Sequence, residues 1–367
     1  MENEYCCILL LLRYNSITNI LPMRLLLFTV IFLGIGSMTA YSQDSTNPDT
    51  TLPVCLKKAN GLLDEAFSFI QKNYYRKNAV EWDNLLAAAK KRLTSSGNCS
   101  EVYDIISWCF KELNESHSFI MPPAKAAVYN YDTASLQQKP MIKELVGDIK
   151  GEILDDGIAY LTVPWVSTTD SLICMQIADS LQQLIASLDE KDPRGWIIDL
   201  RKNTGGNCWP MLAGIGPLLG NGVCGYFVSA REKIPIIYND GAALQGKYIR
   251  CRVSKGYKIK TTGKSIIVLT GHRTVSSGEI VALAFKGRQE VQFYGEPTAG
   301  YTTANATYTL SDNSMLVLTV CMEADRTGKI CEGSIVPDEM VNTSTHPGAA
   351  DPARTAAMMW LSGQGIK

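Results

Sequence analysis

The spacing of apolar residues along the chain predicts a helical first part and a mixed α/β second part. Between residues 55 and 113, apolar side chains recur at the three- and four-residue intervals of amphipathic helices. Three such stretches cover Leu62–Ile70, Trp82–Leu93 and Val102–Phe110. They predict an N-terminal helical domain over residues 55–125.

After Pro122 and Pro123 the pattern changes to short apolar runs separated by turns. Strands alternate with helices, which implies parallel strands joined by right-handed crossovers. We therefore predict an α/β core over residues 126–350 and a C-terminal tail over 351–367. The elements expected in the core are a hairpin at 152–163, helices at 170–188, 210–219 and 277–286, and buried strands at 196–200, 264–270 and 315–322.

The first 42 residues predict a leader with a signal peptide. Met23 and Arg24 form a short basic start, and an apolar run follows over Leu25–Met38. Small residues at Ala40 and Ser42 fit a cleavage site, so we expect translation from Met23 and a flexible leader over 43–54. The apolar run is shorter than the roughly 20 residues of a membrane span. The sequence therefore predicts an exported protein, periplasmic or extracellular.

Charge and cysteine content exclude some classes of function. With 35 basic and 36 acidic residues the formal net charge is -1, which argues against a nucleic-acid partner. No close Cys-x-x-Cys spacing indicates a zinc or redox site, and we expect no metal or cofactor. Of the 11 cysteines, two lie in the leader. The number of cysteines that remain is odd, so at least one of them must be a free thiol. The candidate disulfide pairs are Cys55 with Cys99 and Cys321 with Cys331.

Two strand-to-helix junctions are candidates for chemistry. Ser276, in TVSSGE, directly precedes a predicted helix, where unpaired amides stabilise negative charge. A serine at this position is also an ordinary helix cap, and that alternative stays open. In DLRKNTGG, Gly205 and Gly206 allow a turn whose amides can bind an anion. Parallel strands would bring both junctions to one edge of the sheet.

A serine nucleophile needs a base, and the chain has 3 histidines. His346 lies in the polar segment THPG and is most simply a surface residue. His272 is in the same turn as Ser276, where its side chain would have to fold back along its own backbone. His117 lies between polar neighbours at the junction of the two domains and can face a cleft, although an exposed loop histidine is the alternative.

A carboxylate could orient the base. Glu332 lies in a loop after an apolar strand and can return to the candidate site. Glu279 and Glu296 are rivals, and Glu279 equally fits an acidic residue in the first turn of a helix.

Taken in order, these segments resemble the serine peptidases of the tail-specific (C-terminal processing) and tricorn-like family. The similarity runs from Asn114 to Asp338 through SHS, GIAYLTVPW, GWIIDLRKNTGGN, VLTGHRTVSSGE, GEPTAG and EGSIVPD. It implies a crotonase/ClpP-like core of parallel and mixed strands with crossover helices, capped by the N-terminal helical bundle. It also implies that Ser276 is the nucleophile and that the oxyanion hole is formed by amides of Ser277 and of Gly205 or Gly206.

The resemblance also separates two branches of the family. The tail-specific branch pairs its serine with a lysine in the GEPTAG region, and Tyr301 stands there instead. The tricorn-like branch uses an upstream Ser-His pair and a glutamate, which match Ser116, His117 and Glu332. The chain between His117 and Ile158 is too short for a PDZ domain, so recognition of substrate C-termini through such a domain is not expected.

These observations predict an exported serine endopeptidase that acts on polypeptides. Two alternatives belong to other classes. One is a protein on the same scaffold that binds a peptide or other ligand without catalysis. The other is a crotonase-type enzyme of acyl-CoA, which export disfavours.

Overall fold

The computed structural model describes residues 52–129, 144–260, 262–342 and 350–363. The predicted signal peptide and the start at Met23 lie outside these residues. The helices are α1 (Leu52–Asn73), α2 (Trp82–Ser96), α3 (Val102–Glu112), α4 (Pro123–Tyr129), α5 (Ser171–Asp189), α6 (Cys208–Leu219), α7 (Ser277–Phe285) and α8 (Pro352–Leu361). The strands are β1 (Phe119–Met121), β2 (Gly151–Ile153), β3 (Ala159–Thr162), β4 (Gly195–Asp199), β5 (Gly222–Val228), β6 (Lys233–Asn239), β7 (Ala242–Gln245), β8 (Tyr248–Arg252), β9 (Ser265–Thr270), β10 (Val291–Gly295), β11 (Thr303–Thr309), β12 (Met315–Ala324) and β13 (Glu339–Met340).

Helices α1, α2 and α3 pack against one another through the apolar faces that their sequence spacing predicts. Leu63, Phe67, Leu93 and Ile106 are buried at the centre of this contact. No helix in the described ranges is both long and apolar enough to cross a lipid bilayer.

The two predicted cysteine pairs have different outcomes. A disulfide joins Cys55 to Cys99 across a separation of 44 residues, as predicted. Cys321 and Cys331 are not joined by a disulfide, so that predicted pair is not formed. The reason is the register of the chain after β12. The amide of Cys331 donates to the carbonyl of Glu323, so Cys331 lies opposite Glu323 and not opposite Cys321.

A six-stranded sheet has the order β13-β10-β9-β4-β3-β2, and only its β2–β3 pair is antiparallel. The predicted hairpin and the predicted parallel pairing are therefore confirmed. All five residues of β4 are buried, because helices cover both faces of the sheet. One of these helices is α8, which lies in the segment predicted as a tail; its Ala353 and Ala357 pack against Ile197 and Ile267 and are fully buried.

A second, seven-stranded sheet is antiparallel and has the order β1-β12-β5-β6-β7-β8, with β11 also paired to β12. The sequence pattern predicted β12 but not β5 to β8. Together the two sheets and their helices form a mixed α/β fold.

Three parts of this fold meet at the candidate site. The adjacent strands β4 and β9 end at the same sheet edge, so the DLRKNTGG and TVSSGE turns leave from neighbouring positions. The pairing of β1 with β12 brings the segment before Phe119 to the start of β11.

Candidate active site

Ser276 lies in the turn between β9 and α7, and its hydroxyl faces an imidazole. Its Oγ is 3.0 Å from Nε2 of His117, which is 159 residues away in the sequence. The backbone of Ser276 has φ 52° and ψ -117°, a conformation that is costly for a residue with a side chain. Such strain persists only where the surroundings hold it, and it occurs often at functional sites.

The second ring nitrogen of His117 also has a partner. Nδ1 lies 2.8 Å from Oγ1 of Thr303, the first residue of β11. When Nδ1 carries the proton and donates it to Thr303, Nε2 is the acceptor for the hydroxyl proton of Ser276. A hydroxyl, an imidazole and an acceptor for its second nitrogen therefore lie in the relative positions that nucleophilic catalysis requires.

The surroundings keep the imidazole of His117 uncharged at neutral pH. Burial lowers its pKa to about 4, because an apolar environment disfavours the protonated ring. The ring of Tyr301, at the position where the tail-specific branch has its lysine, has its centroid 5.1 Å from that of His117. Tyr301 thus fills this position with an aromatic ring and contributes to the burial of the base.

Glycines at the end of the DLRKNTGG turn approach Ser276 closely. Gly205 and Gly206 have φ of 95° and 101°. A Cβ on Gly205 would lie 2.8 Å from the carbonyl oxygen of Val275, and one on Gly206 would lie 1.9 Å from that of Val166. Only glycine fits both the backbone conformation and this spacing.

The amides beside Ser276 differ in whether they are already engaged. The amide of Gly205 donates to Oδ1 of Asn203 at 3.0 Å. Those of Gly206 and Ser277 donate no hydrogen bond to any residue the structure describes. The Oγ of Ser277 donates to the carbonyl oxygen of Gly206, which links the two turns. Of the three predicted oxyanion residues, Gly206 and Ser277 have amides available to a ligand.

Asn203, which the sequence reasoning did not single out, fastens these turns from inside. It is fully buried. Its Nδ2 donates to the carbonyl oxygens of Val163 and Pro164, and its own carbonyl accepts the amide of Val275 at 3.0 Å. An asparagine in the turn that follows β4 is the sequence signal for this role.

Glu279, a rival for the orienting carboxylate, is fully buried one helical turn beyond Ser276. One oxygen accepts from Oγ1 of Thr298 and the amide of Gly300; the other accepts from the amides of Ser276 and Tyr301. Burial raises its pKa, and these hydrogen bonds act in the opposite direction. Glu279 therefore holds the 298–301 loop to the start of α7, at the first-turn position that the sequence also suggested.

The structure does not bring Ser116 or Glu332 into hydrogen-bond contact with His117. Both are exposed, and neither side chain bonds to the imidazole within the described residues. Their inclusion in a catalytic tetrad stays a prediction. His272 is exposed and pairs with Glu296, and His346 lies outside the described residues.

Glu115 is a carboxylate that the sequence reasoning missed, although it directly precedes the SHS segment. It is buried, and its Oε1 accepts from the amides of His117 at 2.7 Å and Ser118 at 3.0 Å. Oγ1 of Thr319 donates to the same oxygen at 3.1 Å. Glu115 thus fixes the backbone of His117 and leaves its ring free to face Ser276.

Within the described ranges, no group of three or more histidine, cysteine, aspartate or glutamate residues could hold a metal ion.

The chain is similar to known proteins along most of its length. The model of Peptidase family S41 matches residues 157–341. The nisin-resistance protein of Lactococcus lactis subsp. lactis is 30% identical over 341 residues, which cover 91% of this chain and 94% of that protein. The carboxy-terminal processing protease CtpA of Bacillus subtilis (strain 168) is 27% identical over 176 residues, 48% of this chain and 33% of that protein.

Two solved structures share the fold. A lipoprotein from Streptococcus agalactiae superposes with a TM-score of 0.65 at 24% sequence identity. The match covers 84% of this chain and 97% of the lipoprotein chain. The photosystem II D1 C-terminal processing protease superposes with a TM-score of 0.52 at 15% sequence identity. The match covers 77% of this chain and 93% of that protease. The resemblance to tail-specific peptidases is confirmed: the chain belongs to peptidase family S41 and is a serine peptidase that acts on polypeptides.

Proposed function

We propose that this protein is an exported serine endopeptidase in which Ser276 is the nucleophile and His117 the general base. The observation that carries the proposal is the 3.0 Å contact between Oγ of Ser276 and Nε2 of His117. It joins two residues from distant parts of the chain, and helix capping alone would not require it.

In the first half of the reaction, Nε2 of His117 accepts the hydroxyl proton as Oγ of Ser276 attacks the carbonyl carbon of a peptide bond. Negative charge then develops on the carbonyl oxygen. The unengaged amides of Gly206 and Ser277 are the donors we assign to it. Removal of one such donor costs about 10²-fold or more in kcat.

In the second half, the protonated His117 gives its proton to the leaving amine, and the peptide bond breaks to leave an acyl-enzyme on Ser276. A water molecule then loses a proton to Nε2 and attacks the ester carbonyl carbon. The bond between that carbon and Oγ of Ser276 breaks, Oγ takes the proton back from His117, and the carboxylic acid product leaves. With a pKa near 4, His117 is neutral and able to accept a proton at pH 7, and its imidazolium releases that proton readily to the leaving amine.

The wider architecture follows the family resemblance. We propose a crotonase/ClpP-like core over residues 126–350, capped by the helices of residues 55–125, with no PDZ domain. Export is consistent with the sequence of residues 1–42. The name of the Lactococcus lactis relative makes nisin one reasonable peptide to include among candidate substrates.

A fluorophosphonate probe tests the nucleophile directly. Purified protein should be labelled at one site, identified as Ser276 by mass spectrometry, and Ser276→Ala should not be labelled. Ser95→Ala, at an exposed serine of α2, is a control for general serine reactivity. Wild-type protein that is folded by circular dichroism but is not labelled, or Ser276→Ala that labels equally, would refute the proposal and favour a non-catalytic binding protein.

A further inference from the structure

His117 needs a partner on Nδ1, and β11 provides one. Nδ1 is 2.8 Å from Oγ1 of Thr303, a contact between residues 186 positions apart. An imidazole that accepts a proton at Nε2 must carry its own proton at Nδ1. The acceptor at Nδ1 therefore selects the tautomer and the ring orientation on which Ser276 depends.

The start of β11 is firmly anchored, so the hydroxyl of Thr303 has a defined position. The adjacent Thr302 is buried, and its Oγ1 donates to the carbonyl oxygens of Cys331 at 3.0 Å and Gly333 at 2.9 Å. Its own carbonyl accepts the amide of Glu323 at 3.1 Å. These bonds hold the strand on the side away from the imidazole.

The same strand contacts His117 a second time. Asn305 follows Thr303 by two residues, and alternate residues of a strand share a face. Its Nδ2 donates to the backbone carbonyl of His117 at 2.9 Å, and its Oδ1 accepts from Oγ1 of Thr319 at 2.9 Å. Thus β11 holds the histidine at both the ring and the backbone.

Within the described residues, no carboxylate accepts a hydrogen bond from Nδ1 of His117. Glu115 accepts from the backbone amide of His117, and Glu279 accepts from that of Ser276. Glu332 makes no hydrogen bond to His117 within the described residues. Nδ1 therefore faces a neutral hydroxyl.

We propose that Thr303 is the positioning residue of the base: its Oγ1 accepts the Nδ1–H bond and holds Nε2 of His117 toward Ser276. This inference rests on the proposed function, since it concerns how the same base is oriented. It assigns to a hydroxyl the position that a carboxylate occupies in a Ser-His-Asp triad.

A neutral partner has a measurable consequence. It stabilises the imidazolium less than a carboxylate would, in agreement with a ring whose pKa is lowered by burial. Among the described residues, Tyr301 lies against the ring of His117, Glu115 accepts from its backbone amide, and Glu279 accepts from the amide of Ser276. A carboxylate introduced at position 303 would raise the pKa of His117.

The experiment measures the second-order rate of fluorophosphonate labelling of Ser276 as a function of pH. Thr303→Val should lower the plateau rate by roughly 10-fold to 100-fold, because the ring loses its acceptor. Thr303→Ser should restore the rate to within about threefold, and Thr303→Asp should move the acid limb up by about one pH unit. Thr307→Val, an exposed threonine on the same strand, should leave the profile unchanged.

Thermal unfolding of each variant shows whether it is folded. The proposal is overturned if folded Thr303→Val labels at the wild-type rate, or if Thr303→Asp leaves the acid limb in place. It is also overturned if Glu332→Gln lowers the rate and shifts the limb while Thr303→Val does neither, because Glu332 would then be the orienting group. Labelling that persists in Ser276→Ala would instead count against the proposed function.

Discussion

The two halves of the active site are built in different ways. On the serine side, the turns after β4 and β9 are held by contacts made along one sheet edge: buried Asn203, buried Glu279 and glycines in close backbone contact. On the histidine side, His117 lies between α3 and β1 and is held by residues of β11 and β12 nearly two hundred positions away. Ser276 is thus fixed by the turns of one sheet edge, whereas His117 depends on how the antiparallel sheet docks beside it.

Among these predictions, a methyl group added at Gly206 should cause the largest loss of activity. In Gly206→Ala the Cβ would lie 1.9 Å from the carbonyl oxygen of Val166, so the turn must move and displace a proposed oxyanion donor. We expect at least about a 10²-fold loss of activity, measured as probe labelling or peptide hydrolysis. Gly222→Ala is the control, since φ is 121° there but nothing lies within 4 Å of the added Cβ. Similar losses in both variants would show that positive φ, and not the close approach, is responsible.

Removal of the Asn203 side chain tests the internal fastening of the serine side. Asn203→Ala leaves the amide of Gly205 and the carbonyls of Val163 and Pro164 without their partner. We expect the free energy of unfolding to fall by about 2–4 kcal/mol, measured by chemical denaturation, with a loss of activity in the protein that remains folded. Asn84→Ala, at an exposed position of α2, should lower stability by no more than about 0.5 kcal/mol. Equal effects at both positions would argue against a special role for Asn203.

Glu115 provides the corresponding test of the histidine side. Glu115→Ala removes the acceptor for the amides of His117 and Ser118, so we expect an activity loss of about 10-fold and a fall in stability of about 1–3 kcal/mol. Glu115→Gln keeps one acceptor oxygen and should lose less of both. If Gln and Ala behave alike, the charge of Glu115, and not the hydrogen bonds, is what matters.

The pH dependence should show the smallest effect. The pKa of His117 is about 4 in the folded protein and near 6.5 in an unfolded chain. The ring is therefore still neutral and able to accept a proton at pH 5, and the labelling rate should fall only as the pH approaches 4. An acid limb near pH 6.5 would show that the ring is not buried in solution.

The difference between the pKa of His117 in the folded protein and in an unfolded chain also makes stability depend on pH. Between about pH 6.5 and 4 the unfolded state binds the extra proton, so the free energy of unfolding should decrease as the pH falls through this window. His117→Gln removes the titrating ring and should make this part of the stability profile flatter. A profile that is unchanged in the variant would assign the slope to other groups.

Much of the fold was visible in the pattern of apolar residues. The helices α1 to α3, the hairpin of β2 and β3 and the β4 and β9 pair lie where the periodicity predicts, because each buries a regular apolar face. The strands β5 to β8 were not predicted. Their burial alternates irregularly, with a register shift in β5 and another between β7 and β8. An interrupted alternation is a weak signal of a strand.

The sequence by itself determined the serine, the glycines and the parallel strands that bring their turns to one edge, since these depend on local conformation and short-range periodicity. Among 3 histidines it left His117 as the preferred candidate, and the family resemblance gave that residue the role of base. Only the tertiary structure decided that Nδ1 of His117 meets Thr303, that Glu115 holds its backbone and that Ser116 and Glu332 stand apart from the ring. Those outcomes depend on the docking of β1 and β11 on β12, a long-range register that no local pattern of residues specifies.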